Sequence, residues 1–118
     1  MRVLVTGGSG FLGKSISDFF SKNGHEVIVF DKCEPQNLLD GQTYVKGDLF
    51  DNKSLDQALK NVDIVLHFAA QADIDYSEEN PEETLENNIH GTINLLKKVK
   101  DLNLKRFFFS SSVYVNSK

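Results

Sequence analysis

Residues 6–15 read T-G-G-S-G-F-L-G-K-S, and three phosphate-binding spacings overlap in them. Gly7, Gly10 and Gly13 make GxxGxxG; Gly8, Gly10 and Gly13 make GxGxxG; Gly8, Gly13, Lys14 and Ser15 make GxxxxGK[ST]. All three would set backbone N–H groups and a helix N-terminus against phosphate, with glycines allowing close approach. The first two imply a dinucleotide and redox chemistry, the third a nucleoside triphosphate with magnesium. Asp31 ends the next apolar run, about 20 residues further on, where a dinucleotide fold hydrogen-bonds the adenosine ribose. A magnesium-binding Asp of a triphosphatase stands farther along the chain. Lys14 and Ser15 also fit as exposed residues in the first turns of a helix. The dinucleotide is therefore preferred, with the triphosphatase kept as an alternative.

Such a loop works only between a strand and a helix. R-V-L-V-T at 2–6 predicts a strand buried on both faces. Residues 11–23 carry Leu12, Ile16, Phe19 and Phe20 at helical spacing, with Gly24 as the stop. Strands follow at 26–31 (E-V-I-V-F-D), at 43–45 before Gly47-Asp48, and at 62–68 (V-D-I-V-L-H-F). Ser54 and Gln57 form a capping box for a helix through Leu59. Asn80 caps, with Pro81 at its first position, a helix running to about Leu102 with Leu85, Ile89, Ile93 and Leu96 on one side. A fifth strand spans 105–112 (K-R-F-F-F-S-S-S).

This alternation predicts an α/β fold, a Rossmann-type doubly wound parallel sheet of order 3-2-1-4-5. In that order the helix after strand 1 covers one face, and those after strands 3 and 4 cover the other. Strands 4 and 5 then lack cover on the first face, although Phe107, Phe108 and Phe109 are apolar on both sides. More chain or a partner is expected there.

The 118 residues suit one domain, 40% hydrophobic and 25% charged. A net charge of −4 argues against a nucleic-acid backbone as partner. Lys97, Lys98, Lys100, Lys105 and Arg106 fit the solvated end of a helix, where cations complement the dipole. No apolar run approaches the roughly 20 residues of a membrane span, and no signal peptide is visible. With Cys33 the only cysteine, no internal disulfide can form, and a cytoplasmic location is expected. Cys33 has no visible activating partner. His25, His67 and His90 are too dispersed for a metal site, and His67 fits a packed strand residue. Asp73, Asp75, Glu78 and Glu79 fit a solvated loop.

T-G-G-S-G-F-L-G (6–13), Asp31, G-D-L (47–49), H-F-A-A-Q (67–71), N-N-I-H-G-T (87–92) and F-S-S-S (109–112) together resemble the extended short-chain dehydrogenase/reductases, in particular their nucleotide-sugar epimerases and dehydratases. The segments occur in the family's order and span nearly the whole chain. The resemblance implies that Gly7, Gly10, Phe11 and Leu12 wrap the pyrophosphate of NAD, with Gly13 completing the glycine set. Asp31 would hold the ribose hydroxyls and repel a 2′-phosphate, favouring NAD over NADP. Lys32 beside it could accommodate that phosphate. Asp48 and Leu49 would bracket the adenine, and Phe68, Ala69, Ala70 and Gln71 would line the cofactor. Asn88 would lie near the active site, Ser110 on the cofactor side, and Ser112 would supply the catalytic-site hydroxyl, with Ser111 as the fallback. Taken singly, Asp48 and Asn88 also fit turn and helix-surface residues, and Gly91 fits close helix packing.

The resemblance also implies a Tyr-x-x-x-Lys pair doing acid/base work while hydride passes between a sugar carbon and the nicotinamide, through a keto intermediate. Tyr114 and Lys118 match formally, but Tyr114 lies too close to Ser112 for a new helix to begin between them. The chain is therefore expected to be the NAD-binding portion, residues 1–118, of a longer enzyme, lacking the later strands and the substrate domain and inactive alone. A nucleotide sugar would be the substrate of the whole, and self-association would use the open sheet face. A catalytically silent dinucleotide-binding module is the alternative.

Overall fold

The computed structural model describes residues 1–112 and Val115; the Tyr114 and Lys118 of the formal pair lie outside them. The short Val- and Ile-rich runs form β1 (Arg2–Thr6), β2 (Glu26–Asp31), β3 (Gln42–Lys46), β4 (Ile64–His67) and β5 (Arg106–Phe109). All are parallel, in the order β3-β2-β1-β4-β5, as the alternation of elements predicts. Strands β3, β4 and β5 differ from expectation only at their ends: β3 is longer, β4 is shorter at both ends, and β5 runs only from Arg106 to Phe109, before the serines. The register aligns Thr6 with Phe30 on one side and His67 on the other, and His67 with Phe109. The C-terminal ends of β1, β2 and β4 therefore open at one level.

The connections carry α1 (Phe11–Lys22), α2 (Asn52–Ala58), α3 (Ile74–Glu79), α4 (Pro81–Leu85), a π-helical turn (Glu86–His90) and α5 (Gly91–Val99). Helix α1 covers one face of the sheet, where Val3, Val5, Val27, Val29 and Leu66 pack with Ile16 and Phe20. On the other face, α2 and α5 enclose Leu4, Ile28, Phe30, Val65, Leu55, Leu95 and Val99. Each such side chain, fully buried, contributes roughly 1.5–3 kcal/mol.

Five local expectations are corrected. Helix α1 buries Gly13 and Ser17, while Leu12 and Phe19 are exposed; small residues face the sheet because the helix sits close to it. Helix α2 is capped by Asp51, whose carboxylate accepts from the Lys53 N–H; Ser54 lies inside the helix and bonds back to the Asp51 carbonyl. The acidic stretch is a helix, α3, because the Asp73 side chain accepts from the Tyr76 N–H and nucleates a turn. Along the long helix, Leu85, Ile89, Ile93 and Leu96 form an exposed stripe, while Gly91, Leu95 and Val99 face the core. Asn80 precedes Pro81 as expected, but its side chain donates to the Tyr76 carbonyl instead of capping α4.

The open face is real and smaller than expected. Leu66 is buried, but Phe108 is 48% exposed beside a partly buried Phe68, ring centroids 6.1 Å apart. Phe107 packs into the α2–α5 core, and Phe109 is exposed at the end of its strand. Among the described residues, no helix is long and apolar enough to cross a membrane.

Candidate functional site

At the C-terminal ends of β1, β2 and β4 lies a cavity of about 410 Å³, the position where ligands bind in open α/β sheets. Its walls come from four segments distant in sequence, with Glu83 and Asn87 adding a fifth. Gly7 and Gly10 supply the first; Asp31, Lys32 and Cys33 the second; Gly47, Asp48 and Leu49 the third; Phe68, Ala69, Ala70 and Gln71 the fourth.

The glycine loop divides its labour. Gly7 has φ +67°, and a Cβ there would stand 2.7 Å from the Ala69 nitrogen; only glycine supports that conformation and that approach. Gly10 has almost open space above it, the nearest atom being 3.3 Å away, so a ligand can reach its backbone. Gly13 is buried and lines no part of the cavity: a Cβ would sit 2.0 Å from the Gly7 carbonyl oxygen. Its task is to bring the start of α1 against the loop. Gly8 is likewise buried, against Val5 and Val29. Helix α1 begins at Gly10 without a side-chain cap, so its first-turn N–H groups point outward as anion donors. Phe11 and Leu12 stand exposed on that turn without lining the cavity.

Lys14 and Ser15 take no part. The Lys14 ammonium pairs with Asp18 at 2.6 Å, one turn along α1, and the Ser15 hydroxyl donates to the Phe11 carbonyl. The GxxxxGK[ST] spacing is thus a coincidence of helix surface, and a triphosphate site built on it finds no support in the geometry.

Asp31 is aimed by backbone on both sides. The Ser9 N–H donates to one carboxylate oxygen and the Cys33 N–H to the other, each at 3.0 Å. Each oxygen retains a lone pair for a further donor, as ribose hydroxyls would require. The Lys32 ammonium lies 2.8 Å from Asp48 and 3.4 Å from the Asn87 side-chain oxygen. Burial pushes the Asp48 carboxyl up, but Lys32 and the Phe50 N–H outweigh it and hold the group below the ordinary carboxylate range. Leu49 is buried and packs against Gly91, where a Cβ would approach it to 3.0 Å.

Asn88 and Ser110 line no part of the cavity, but both fix its wall. The Asn88 amide clamps the Gln71 backbone, accepting from its N–H at 2.7 Å and donating to its carbonyl at 2.9 Å. The Ser110 hydroxyl donates to the His67 carbonyl at 3.2 Å. Ser112 and Ser111 are exposed beyond β5, outside the lining. Sequence reasoning missed Phe30, Cys33, Gly47, Glu83 and Asn87 as lining residues. Only Glu83 and Asn87 had a signal, their i, i+4 spacing on one helix.

Residues 3–118 match the model of the NAD dependent epimerase/dehydratase family. The chain belongs to that family. Among its relatives, UDP-glucose 4-epimerase of Halalkalibacterium halodurans is 37% identical over 95% of this chain and 35% of its own length. The solved epimerase of Methanothermobacter thermautotrophicus superposes with a TM-score of 0.90 at 32% identity, covering 95% of this chain and 35% of its own. UDP-glucose 4-epimerase of Thermus thermophilus, solved in complex with NAD, gives a TM-score of 0.86 at 34% identity, over 95% of this chain and 38% of its own. The chain thus spans a little over a third of the length of each of these proteins.

Proposed function

We propose that this chain is the NAD-binding portion of an NAD-dependent nucleotide-sugar epimerase or dehydratase. The observation that carries the proposal is Asp31, held by two backbone N–H groups, one of them from Ser9 of the glycine loop, at the edge of the cavity that Asp31 and that loop line together. The fit to a dinucleotide rests on Gly10, whose missing Cβ leaves the backbone accessible, and on the uncapped start of α1. Gly7, Gly10 and the first-turn amides of Phe11 and Leu12 would hold the pyrophosphate, with Gly13 seating the start of α1 against the loop. Asp31 would hold the ribose hydroxyls, Asp48 and Leu49 would bracket the adenine, and Phe68 to Gln71 would line the rest. Lys32 pairs with Asp48, and the Asp31 carboxylate beside it would repel a 2′-phosphate, which favours NAD over NADP. Bound NAD would take a hydride from a sugar carbon and return it. Ser112 would hydrogen-bond the reacting sugar oxygen, and the acid/base pair and the sugar site belong to the rest of the enzyme. A nucleotide sugar is the substrate class that fits the likeness to the epimerases above.

Calorimetric titration with NAD, NADP and ATP–magnesium tests this reading. NAD should bind at least about tenfold more tightly than NADP, and Asp31→Asn should cost about tenfold in NAD affinity, the loss of one charge-assisted hydrogen bond. Preferential binding of ATP–magnesium would overturn it.

Self-association belongs to the same proposal. Phe68 and Phe108 on the open sheet face offer apolar surface to a second copy. Sedimentation velocity should show a concentration-dependent dimer that Phe108→Asp weakens; a strictly monomeric species at high concentration would count against it.

A further inference from the structure

His67 is buried at the end of β4, with 2% of its surface exposed. Its Nδ1 lies 2.6 Å from the Thr6 hydroxyl and its Nε2 lies 2.9 Å from the Thr92 hydroxyl. The proton positions follow from counting donors. Thr92 Oγ1 lies 2.6 Å from the Asn88 carbonyl, which can only accept. The single hydroxyl proton of Thr92 goes there, so Thr92 must accept from His67, and the imidazole proton sits on Nε2. Nδ1 is then a bare acceptor that takes the hydroxyl proton of Thr6. Thr6 Oγ1 in turn accepts the Ala69 N–H at 3.3 Å. Each donor in the sequence Ala69, Thr6, His67, Thr92, Asn88 has one acceptor, and the direction is unique.

The two ends of this relay hold the same turn. At one end Ala69 is tied through Thr6; at the other, Asn88 grips the Gln71 backbone with its side chain. Ala69 also abuts Gly7 so tightly that a Cβ on Gly7 would overlap it. A shift of the turn would therefore move one wall of the cavity against the other. No charged side chain is bonded to His67 among the described residues; its ring neighbours are Phe107 and Phe109.

We propose that His67, as its Nε2–H tautomer, is a positioning residue for the bound dinucleotide, coupling Thr6 on β1 and Thr92 on α5 to the cofactor-facing turn 68–71. The proposal rests on the NAD-binding reading above and adds to it a residue outside the cavity lining. It differs from simple core filling, because a core-filling His67 would be indifferent to the hydroxyls at its two nitrogens.

Thr92→Val, which keeps the shape and removes the hydroxyl, and Thr92→Ser, which restores it, separate the two roles. The readouts are NAD affinity by calorimetry, amide exchange at Ala69 and Gln71, and the 15N spectrum of the His67 ring. Thr92→Val should weaken NAD about tenfold and speed exchange at both amides by a similar factor, as expected when a buried acceptor is removed. Thr92→Ser should stay within about twofold of the unsubstituted chain. The proposal fails if NAD affinity and exchange ignore Thr92→Val, if Thr92→Ser behaves like Thr92→Val, or if the ring carries its proton on Nδ1. Should Thr92→Val not fold, the ring spectrum of the unsubstituted chain reads the same relay. A chain that binds no NAD at all overturns the cofactor reading, whereas NAD binding indifferent to Thr92→Val overturns only this one.

Discussion

Gly13→Ala is expected to lower stability by about 3 kcal/mol, at the upper end of overpacking costs, and to abolish dinucleotide binding. An alanine Cβ would stand 2.0 Å from the Gly7 carbonyl oxygen, 2.7 Å from its carbon and 2.8 Å from the Gly8 Cα. All three are backbone atoms, so no side chain can swing aside. Gly7 cannot yield either, being pressed on Ala69 from the other side. Relief comes only if α1 lifts from the loop, which removes its first-turn N–H groups from the cavity. Helix propensity argues the opposite way, since alanine inside a helix is favoured over glycine by about 1 kcal/mol. The two effects differ in sign, so a urea melt decides between them. A variant as stable as the parent would mean that α1 does not sit where its contacts place it.

The second large effect is on acid stability. Burial pushes the His67 imidazole down from its ordinary 6.5 to about 4. The fold thus favours the neutral ring. The stability this contributes is complete above pH 6.5 and is lost progressively as pH falls from 6.5 toward 4, because the unfolded chain binds the proton first. At full extent the difference amounts to about 3 kcal/mol. The relay gives the same sign: a protonated ring would donate at both nitrogens, leaving the Thr6 hydroxyl proton without its acceptor. Asp18, Asp48, Asp51 and Asp63 are all held below the ordinary carboxylate range. Their contributions remain until lower pH, so the two windows can be told apart. Urea midpoints measured from pH 7 to 4 should fall in the parent, and His67→Gln, whatever its absolute stability, should flatten that leg. An unchanged slope in the variant would assign the acid loss to other groups.

Legibility in the sequence followed how local the determinants were. The sheet order came from the alternation of elements and the position of the loop, and the fold retains it. Asp31, Asp48 and Leu49 could be placed because each sits at or just beyond the end of a strand, where chain direction decides what it faces. The orientation of α1 could not, because apolar spacing assumes that large side chains face the core. Gly13 and Ser17 face it instead, since close approach to the sheet leaves no room for Leu12 or Phe19. The long helix failed in a related way. It carries two apolar stripes, and nothing within the helix says which one meets Leu49 and Val65. Thr6 and Thr92 stand inside segments that carry the family resemblance, but nothing in the sequence assigned either of them a role. Their significance arises only when β4 brings His67 between them.

The π-helical turn at Glu86–His90 makes the helix a measured length as well as an amphipathic one. A helix gains or loses roughly 100° of rotation per residue. Removing one residue from the wide turn would swing everything after it by that angle, carrying Thr92 away from His67 and Gly91 away from Leu49. Composition along the outer stripe of Leu85, Ile89, Ile93 and Leu96 is free to drift, because those residues are exposed and line no part of the cavity. The count of residues between Pro81 and Gly91 is not. Divergence among relatives of this chain should therefore appear here as substitutions, with insertions and deletions displaced into the loops on either side.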